Sequence, residues 1–310
     1  MWDLLWPIKW VIELILVGFH ALFTSLGLAA TDGVTWVLAI TGLVIVVRAA
    51  LIPIFVKQIK SQRNMLVVQP ELQKLQKKYK GKTDPDSRQA FAKEQMDLYK
   101  KYDANPLSSC LPLLLQMPIF TGLFFVLNEA QHNNKGVGLL TKDLATSFSQ
   151  ATVFGAPLKD TFLTSEQVSV KIVAALMILL MTASQFITQK QILAKNQNPA
   201  VMTSQYMQTQ KIMLYIFPII FAISGISFPL GVMTYWLVSN FWTMGQQFVV
   251  IRSMPTPGSQ AHAAREARLA KRGKTSKPVA KVEDAPAVEA PAKTQRSQPV
   301  SKNRAKKSTK

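Results

Sequence analysis

Apolar residues in this chain gather into long unbroken runs, and the runs alternate with blocks dense in Lys and Arg. The clearest run is residues 34–56, VTWVLAITGLVIVVRAALIPIFV. At ~1.5 Å rise per residue it covers roughly 34 Å as a helix, enough for a ~30 Å hydrocarbon core. Further runs occupy 107–127, 168–187 and 212–251. The last has no charge between Lys211 and Arg252. Its length of about 60 Å as helix supplies two crossings, with a turn at Ser227, Phe228, Pro229 and Gly231. The pattern predicts an all-α membrane protein with five transmembrane helices, at 34–56, 107–127, 168–187, 212–226 and 231–251.

The segment before the first run reads differently. In WVIELILVGFHALFTSLGLAA, 10–30, the polar residues Lys9, Glu13, His20 and Thr24 are spaced four, seven and four and share one helical face. Such a stripe suits an amphipathic helix lying in the outer interface within 1–33. The alternatives are a span or a cleaved signal, and Asp3 with a single lysine at the start argues against the signal.

Charge sets the topology. Block 57–105 holds 12 Lys and Arg against 6 acids, which places it in the cytoplasm. It predicts a helical hairpin: Pro70 opens one helix with Leu72, Leu75 and Tyr79 on a face, and Gly81 ends it. Asp84 and Pro85 start the next, with Phe91, Leu98 and Tyr102 together. A solvated charged linker is the plainer alternative. Asn105 and Pro106 form a good cap for the second span. Segment 128–167 has 3 Lys against 4 acids and suits the outer side, whereas 188–211 has 3 Lys, no acid, and Met202 and Met207. Block 252–310 has 15 Lys and Arg against 4 acids and reads as a disordered basic tail, with one helical turn around Ala263–Arg272. Its partner is a polyanion, ribosomal RNA or anionic lipid, or it is a generic positive-inside tail. In all, 30 of the 36 basic residues fall in the cytoplasmic blocks. The N-terminus is then outside and the C-terminus cytoplasmic.

Within this frame one residue stands out. Arg48 is a full charge inside the first span, and no Asp or Glu occurs in 107–127, 168–187 or 212–251 to neutralise it. A charge at that depth costs at least ~2.5 kcal/mol unless water, a carbonyl or a visiting molecule relieves it. Pro53 helps locally, since its missing N–H frees the Ala49 carbonyl. Snorkelling to the cytoplasmic headgroups is the alternative, over a distance of about 12 Å that is long for one side chain. Other polar positions in the spans are Gln116, then Thr182 with Gln185, and a stripe of Trp236, Asn240, Thr243 and Gln247 spaced four, three and four. These suit a bundle interior or wet cavity better than lipid.

Several chemistries are excluded. Cys110 stands alone, so no intrachain disulfide forms. The histidines His20, His132 and His262 have no metal-binding spacing, and both GKT triplets lack the glycine of a phosphate loop, having Gln76 and Arg268 there. No cofactor or enzymatic activity is expected. A coupled solute transporter is disfavoured by the missing intramembrane carboxylates. A pure ribosome tether leaves Arg48 without a purpose.

Four blocks, RAALIPIFVKQIKSQRNM at Arg48, QPELQKLQKKYK, NPLSSCLPLLLQMPIFTGLF and FPLGVMTYWLVSNFW, occur in an order that resembles the YidC-type membrane protein insertases, with their mitochondrial and chloroplast relatives. The resemblance covers roughly residues 10–252. It implies a five-helix core around a hydrophilic groove open to the cytoplasm and to lipid, with Arg48 as the groove arginine and Gln116, Gln185, Trp236, Asn240 and Thr243 as lining. It further implies nascent membrane proteins with short hydrophilic tails as clients, a bacterial plasma membrane as location, and action alone or beside the ribosome and the Sec translocon. The large outer domain and lipoprotein-type start of Gram-negative members are not seen, which resembles a compact Gram-positive form of the actinobacterial kind.

Overall fold

A computed structural model describes residues 5–105, 111–133, 136–197 and 204–273. Pro106, Cys110, Met202 and the tail from residue 274 lie outside the described residues, so the cap, thiol and tail readings there have no structural counterpart.

The chain is an all-α membrane protein. Its helices are α1 (Trp6–Ser25), α2 (Gly33–Ala50), α3 (Ile52–Lys78), α4 (Pro85–Lys101), α5 (Leu111–Asn133), α6 (Lys142–Gln150), α7 (Val168–Lys195), α8 (Ser204–Gly225), α9 (Leu230–Ser253) and α10 (Gln260–Ala270). Two short antiparallel strands, β1 (Thr152–Val153) and β2 (Ala156–Pro157), form a small hairpin after α6. Among the described residues α1, α2 and α7 are long and apolar enough to cross a membrane, and the apolar part of α8, Gln210–Gly225, is shorter. Val168, Ile172, Leu176 and Leu179 of α7, and Ile212, Ile216, Ile219 and Ile223 of α8, form exposed stripes three to four residues apart. In water such faces would aggregate, and against lipid they carry no penalty.

Helix boundaries follow local chemistry. Gly27, with φ +99°, ends α1 in a left-handed conformation that a side chain resists. Asp32 then caps α2 by accepting from the Val34 N–H. The run 34–56 is broken at Leu51, which caps both α2 and α3, because Pro53 in the first turn of α3 removes a backbone donor.

Helices α3 and α4 pack against each other, and one boundary differs from the sequence expectation. Pro70 does not open a helix; it lies inside α3, which already begins at Ile52. The helix is already formed over the turns from Ile52 onward, so Pro70 needs no fresh nucleus and the turns on either side carry it. The stop and restart are as the residues suggest: Gly81 has φ +87°, and Asp84 accepts from the Ser87 N–H at 2.8 Å. Val68, Leu72 and Ala104 make a small separate core with Leu98 and Tyr102 packed on it. Tyr79 meets Phe91 edge-on, and Lys78 pairs with Glu94 at 2.7 Å. That pair lowers the Glu94 carboxyl from its ordinary range through the hydrogen bonds of Lys78 and Tyr79, and raises Lys78 through its bond to Glu94.

Segment 136–167 is more ordered than a plain loop. It packs over one end of the bundle, where α2, α7 and α9 begin. Phe148 of α6 is buried edge-on against Trp36 of α2 at 5.2 Å. The Leu230 and Gly231 N–H groups donate to the carbonyls of Asp160 and Leu158 at 3.0 and 2.9 Å. At Gly33 an added Cβ would lie 2.2 Å from the Thr152 carbonyl oxygen, so only glycine admits β1 so closely.

Helix α1 packs along α2 and α5. Ile8 and Ile12 cover Gly122 of α5, Phe19 covers Gly42 of α2, and Lys9 pairs with Glu129 at 2.8 Å. Its polar stripe faces inward. Glu13 is fully buried and accepts from the N–H groups of Val137, Gly138 and Leu140 at 2.6, 2.7 and 3.3 Å. His20 lies tilted against Trp36 with centroids 4.1 Å apart and shares a hydrogen bond with the Ala30 carbonyl.

The block beginning at Arg252 also differs from a wholly disordered tail. Residues 254–259 turn, and α10 folds back onto α7 and α9, with Pro255, Thr256, Ser259 and Ala261 buried. The helical turn expected near Ala263–Arg272 is thus the greater part of a capped, packed helix, because Ser259 accepts from the His262 N–H and starts it.

Candidate functional site

Arg48 sits in the last turn of α2, just before the break at Leu51. Its guanidinium lies over the Phe55 ring of α3 at 5.9 Å, a contact that the turn at Leu51 makes available. Arg48 Nε is buried and has no hydrogen-bond partner. Among the described residues no carboxylate pairs with it. The ionisable neighbour among the described residues that is close enough to act on it is the Tyr235 phenol of α9.

Tyr235 links Arg48 to the next helix. It is buried, and its hydroxyl accepts a hydrogen bond from Gln116 Nε2 on α5. The other amide atom of Gln116, Oε1, is buried and unpartnered. Ser239, one turn beyond Tyr235 on the same face, brings its buried hydroxyl near the Tyr235 phenol without completing a well-formed hydrogen bond. Helices α2, α5 and α9 therefore bring Arg48, Gln116, Tyr235 and Ser239 together, with three unpaired polar groups among four residues. Buried polar atoms without partners cost about 1–3 kcal/mol each, so such a cluster calls for water or a polar guest.

The other sequence candidates lie elsewhere. Trp236 is held in an aromatic cluster, edge-on to Phe221, Phe120 and Phe228 at 4.7, 5.5 and 5.8 Å. Asn240 reaches α7, its Nδ2 donating to the Met181 carbonyl at 3.5 Å. Thr243 donates to the Ser239 carbonyl within its own helix at 2.8 Å. Gln185 is half-buried on α7. This stripe of α9 turns toward α7 and α8, whereas Tyr235, Ser239, Trp242 and Gln246 occupy a second stripe about 100° around the helix. Tyr235 and Ser239 are the residues that sequence reasoning missed. Their signal was present, since 235, 239 and 246 repeat at four and seven, but two polar stripes on one helix cannot be ranked without its neighbours.

The family described as 60Kd inner membrane protein matches residues 28–257. A protein named membrane protein insertase YidC from Streptomyces avermitilis is 46% identical over 274 residues, covering 86% of this chain and 61% of the relative. The chain thus spans about three fifths of that relative's length. A protein of the same name from Tropheryma whipplei (strain Twist) is 44% identical over 98% of this chain and 96% of its own. One from Bifidobacterium longum is 37% identical over 99% and 96%. With the match covering every element from α2 to α9, and two relatives aligned over nearly the whole of both sequences, the chain belongs to the 60Kd inner membrane protein family, that of the YidC membrane protein insertases.

Proposed function

We propose that this chain is a membrane protein insertase that works without covalent chemistry: it takes the hydrophilic flank of a nascent membrane protein partway across the bilayer and releases the client's apolar span sideways into lipid. The observation that carries this reading is Arg48, a half-buried charge whose Nε is buried and unpartnered, beside the equally unpaired Gln116 Oε1 and Ser239 Oγ. These groups form the floor of a water-filled groove open to the cytoplasm. Gln185, Trp236, Asn240 and Thr243 line its wall toward α7 and α8. An acidic client tail meets Arg48 in a medium where charges interact more strongly than in bulk water, roughly 4 kcal/mol at 4 Å for an effective dielectric of 20. Burial of the client span in lipid, about 25 cal/mol per Å² of apolar surface, drives the exit.

The topology that serves this mechanism has five spans, 34–56, 107–127, 168–187, 212–226 and 231–251, with the N-terminus outside. Helix α1 and segment 128–167 cover the outer end, the α3–α4 hairpin stands in the cytoplasm at the groove mouth, and the basic block 252–310 meets the ribosome or anionic lipid. Action beside the Sec translocon is compatible with the lateral opening.

The test is insertion of a small single-span client with an acidic outer tail into liposomes holding the purified chain. Arg48→Ala is expected to lower insertion and Arg48→Glu to lower it further, with the fold intact. Equal insertion by wild type and both variants would overturn the role of the charge.

A further inference from the structure

A second polar site lies at the opposite end of α9. The turn after Ser253 is pinned by the Thr256 N–H, which donates to Asn196 Oδ1 at the end of α7 at 2.9 Å. Ala261 and Ala264 then bring α10 close to α7 and α9 without filling the space between them. What remains is a cavity of about 310 Å³. Its polar wall carries Lys195 from α7, Arg252 from α9 and Arg268 from α10. Arg268 Nη2 donates to the Arg252 carbonyl at 3.1 Å, which holds its guanidinium over the negative end of α9. Among the described residues none of these cations is paired with a carboxylate, and the one acid of α10, Glu266, sits by His262 at 3.8 Å. The floor is apolar, made by Phe248 and Ile251, and Phe248 is 58% exposed beside the 60% exposed Val249. The site therefore joins three unneutralised cations to a surface that faces lipid.

Depth selects the ligand. From Leu230 to Arg252 is about 33 Å of helix, roughly one hydrocarbon thickness, so if α9 spans the bilayer the cations stand at headgroup level with Phe248 one turn deeper. We propose that this cavity binds the phosphate headgroup of an anionic phospholipid, with Lys195, Arg252 and Arg268 around the phosphate and an acyl chain along Phe248. An RNA phosphate would satisfy the cations but leave the apolar floor bare. The site rests on α9 as a membrane span and not on the groove, so a failure of the Arg48 experiment leaves it standing.

Native mass spectrometry of the full chain in detergent, titrated with phosphatidylglycerol or phosphatidylcholine, tests it. Wild type is expected to retain one phosphatidylglycerol under conditions that strip phosphatidylcholine. The triple variant K195Q/R252Q/R268Q should weaken that binding by about tenfold or more, since each cation near a lipid phosphate is worth about a factor of five. Ala264→Trp, which fills the cavity and keeps every charge, should do the same while thermal unfolding stays unchanged. Equal retention of the two lipids would overturn the proposal, as would undiminished phosphatidylglycerol binding in both variants. So would displacement of the lipid by millimolar inorganic phosphate, or a short RNA oligonucleotide that loses affinity in the triple variant while the lipid does not.

Discussion

Replacing Glu13 probes how α1 is fastened to the rest of the bundle. The carboxylate is fully buried and is the acceptor for three backbone N–H groups, those of Val137, Gly138 and Leu140, more than 120 residues away. Glu13→Ala removes all three acceptors at once. A hydrogen bond to a charged group contributes about 1.5–3 kcal/mol, and the third, at 3.3 Å, less than the others. Some rehydration of the freed amides offsets part of the loss, which leaves an expected destabilisation of roughly 3–5 kcal/mol. Glu13→Gln keeps one acceptor but turns an NH₂ donor toward the remaining N–H groups, so it should lose about half as much. Thermal unfolding in detergent followed by tryptophan fluorescence gives the stability, and hydrogen exchange of a peptide covering 136–140 gives the local effect. An alanine variant within about 0.5 kcal/mol of wild type, with 136–140 still protected, would refute the reasoning.

Other expectations are shorter to state. Tyr235→Phe leaves the Gln116 amide without its partner; stability should fall by about 0.5–1.5 kcal/mol and insertion of acidic-tailed clients should drop, and no change in either would remove Tyr235 from the site. Gly33→Ala forces a Cβ onto the Thr152 carbonyl and should cost about 1–3 kcal/mol, whereas Gly18→Ala, with nothing within 4 Å, should be neutral or stabilising in the same unfolding assay. The Lys78–Glu94 contact gives the hairpin a pH dependence of known sign. Because Glu94 is lowered from 4.5, its contribution is complete above that value and is lost as pH falls through the folded-state value. Because Lys78 is raised above 10.5, its contribution is lost as pH rises through the folded-state value. Spin labels on the tips of α3 and α4 should therefore separate at acid and at strongly alkaline pH and stay together between, with the effect weakened by salt and absent in Glu94→Gln.

The sequence by itself determined that long apolar helices occur, where the hairpin turns at Gly81 and Asp84, and that Arg48 is a charge without an acid to meet it. Those are properties of one segment at a time: length against a bilayer, a glycine able to take positive φ, a cap within reach of its own helix, a count of carboxylates. Only the tertiary structure decided which side of each helix matters. Helix α9 carries two polar stripes, and the one holding Trp236, Asn240 and Thr243 was as legible as the one holding Tyr235 and Ser239. The choice between them is made by α2 and α5, which bring Arg48 and Gln116 to Tyr235, while Trp236 is captured by Phe120, Phe221 and Phe228. Pro70 likewise reads as a helix start by its own chemistry and becomes an interior residue because α3 arrives already formed from Ile52. Glu13 reads as part of an interfacial polar stripe, and its three partners come from a loop that no local pattern connects to it. Local propensity and polarity fix an element's existence; its rotation and its long-range partners are set by the surfaces it packs against.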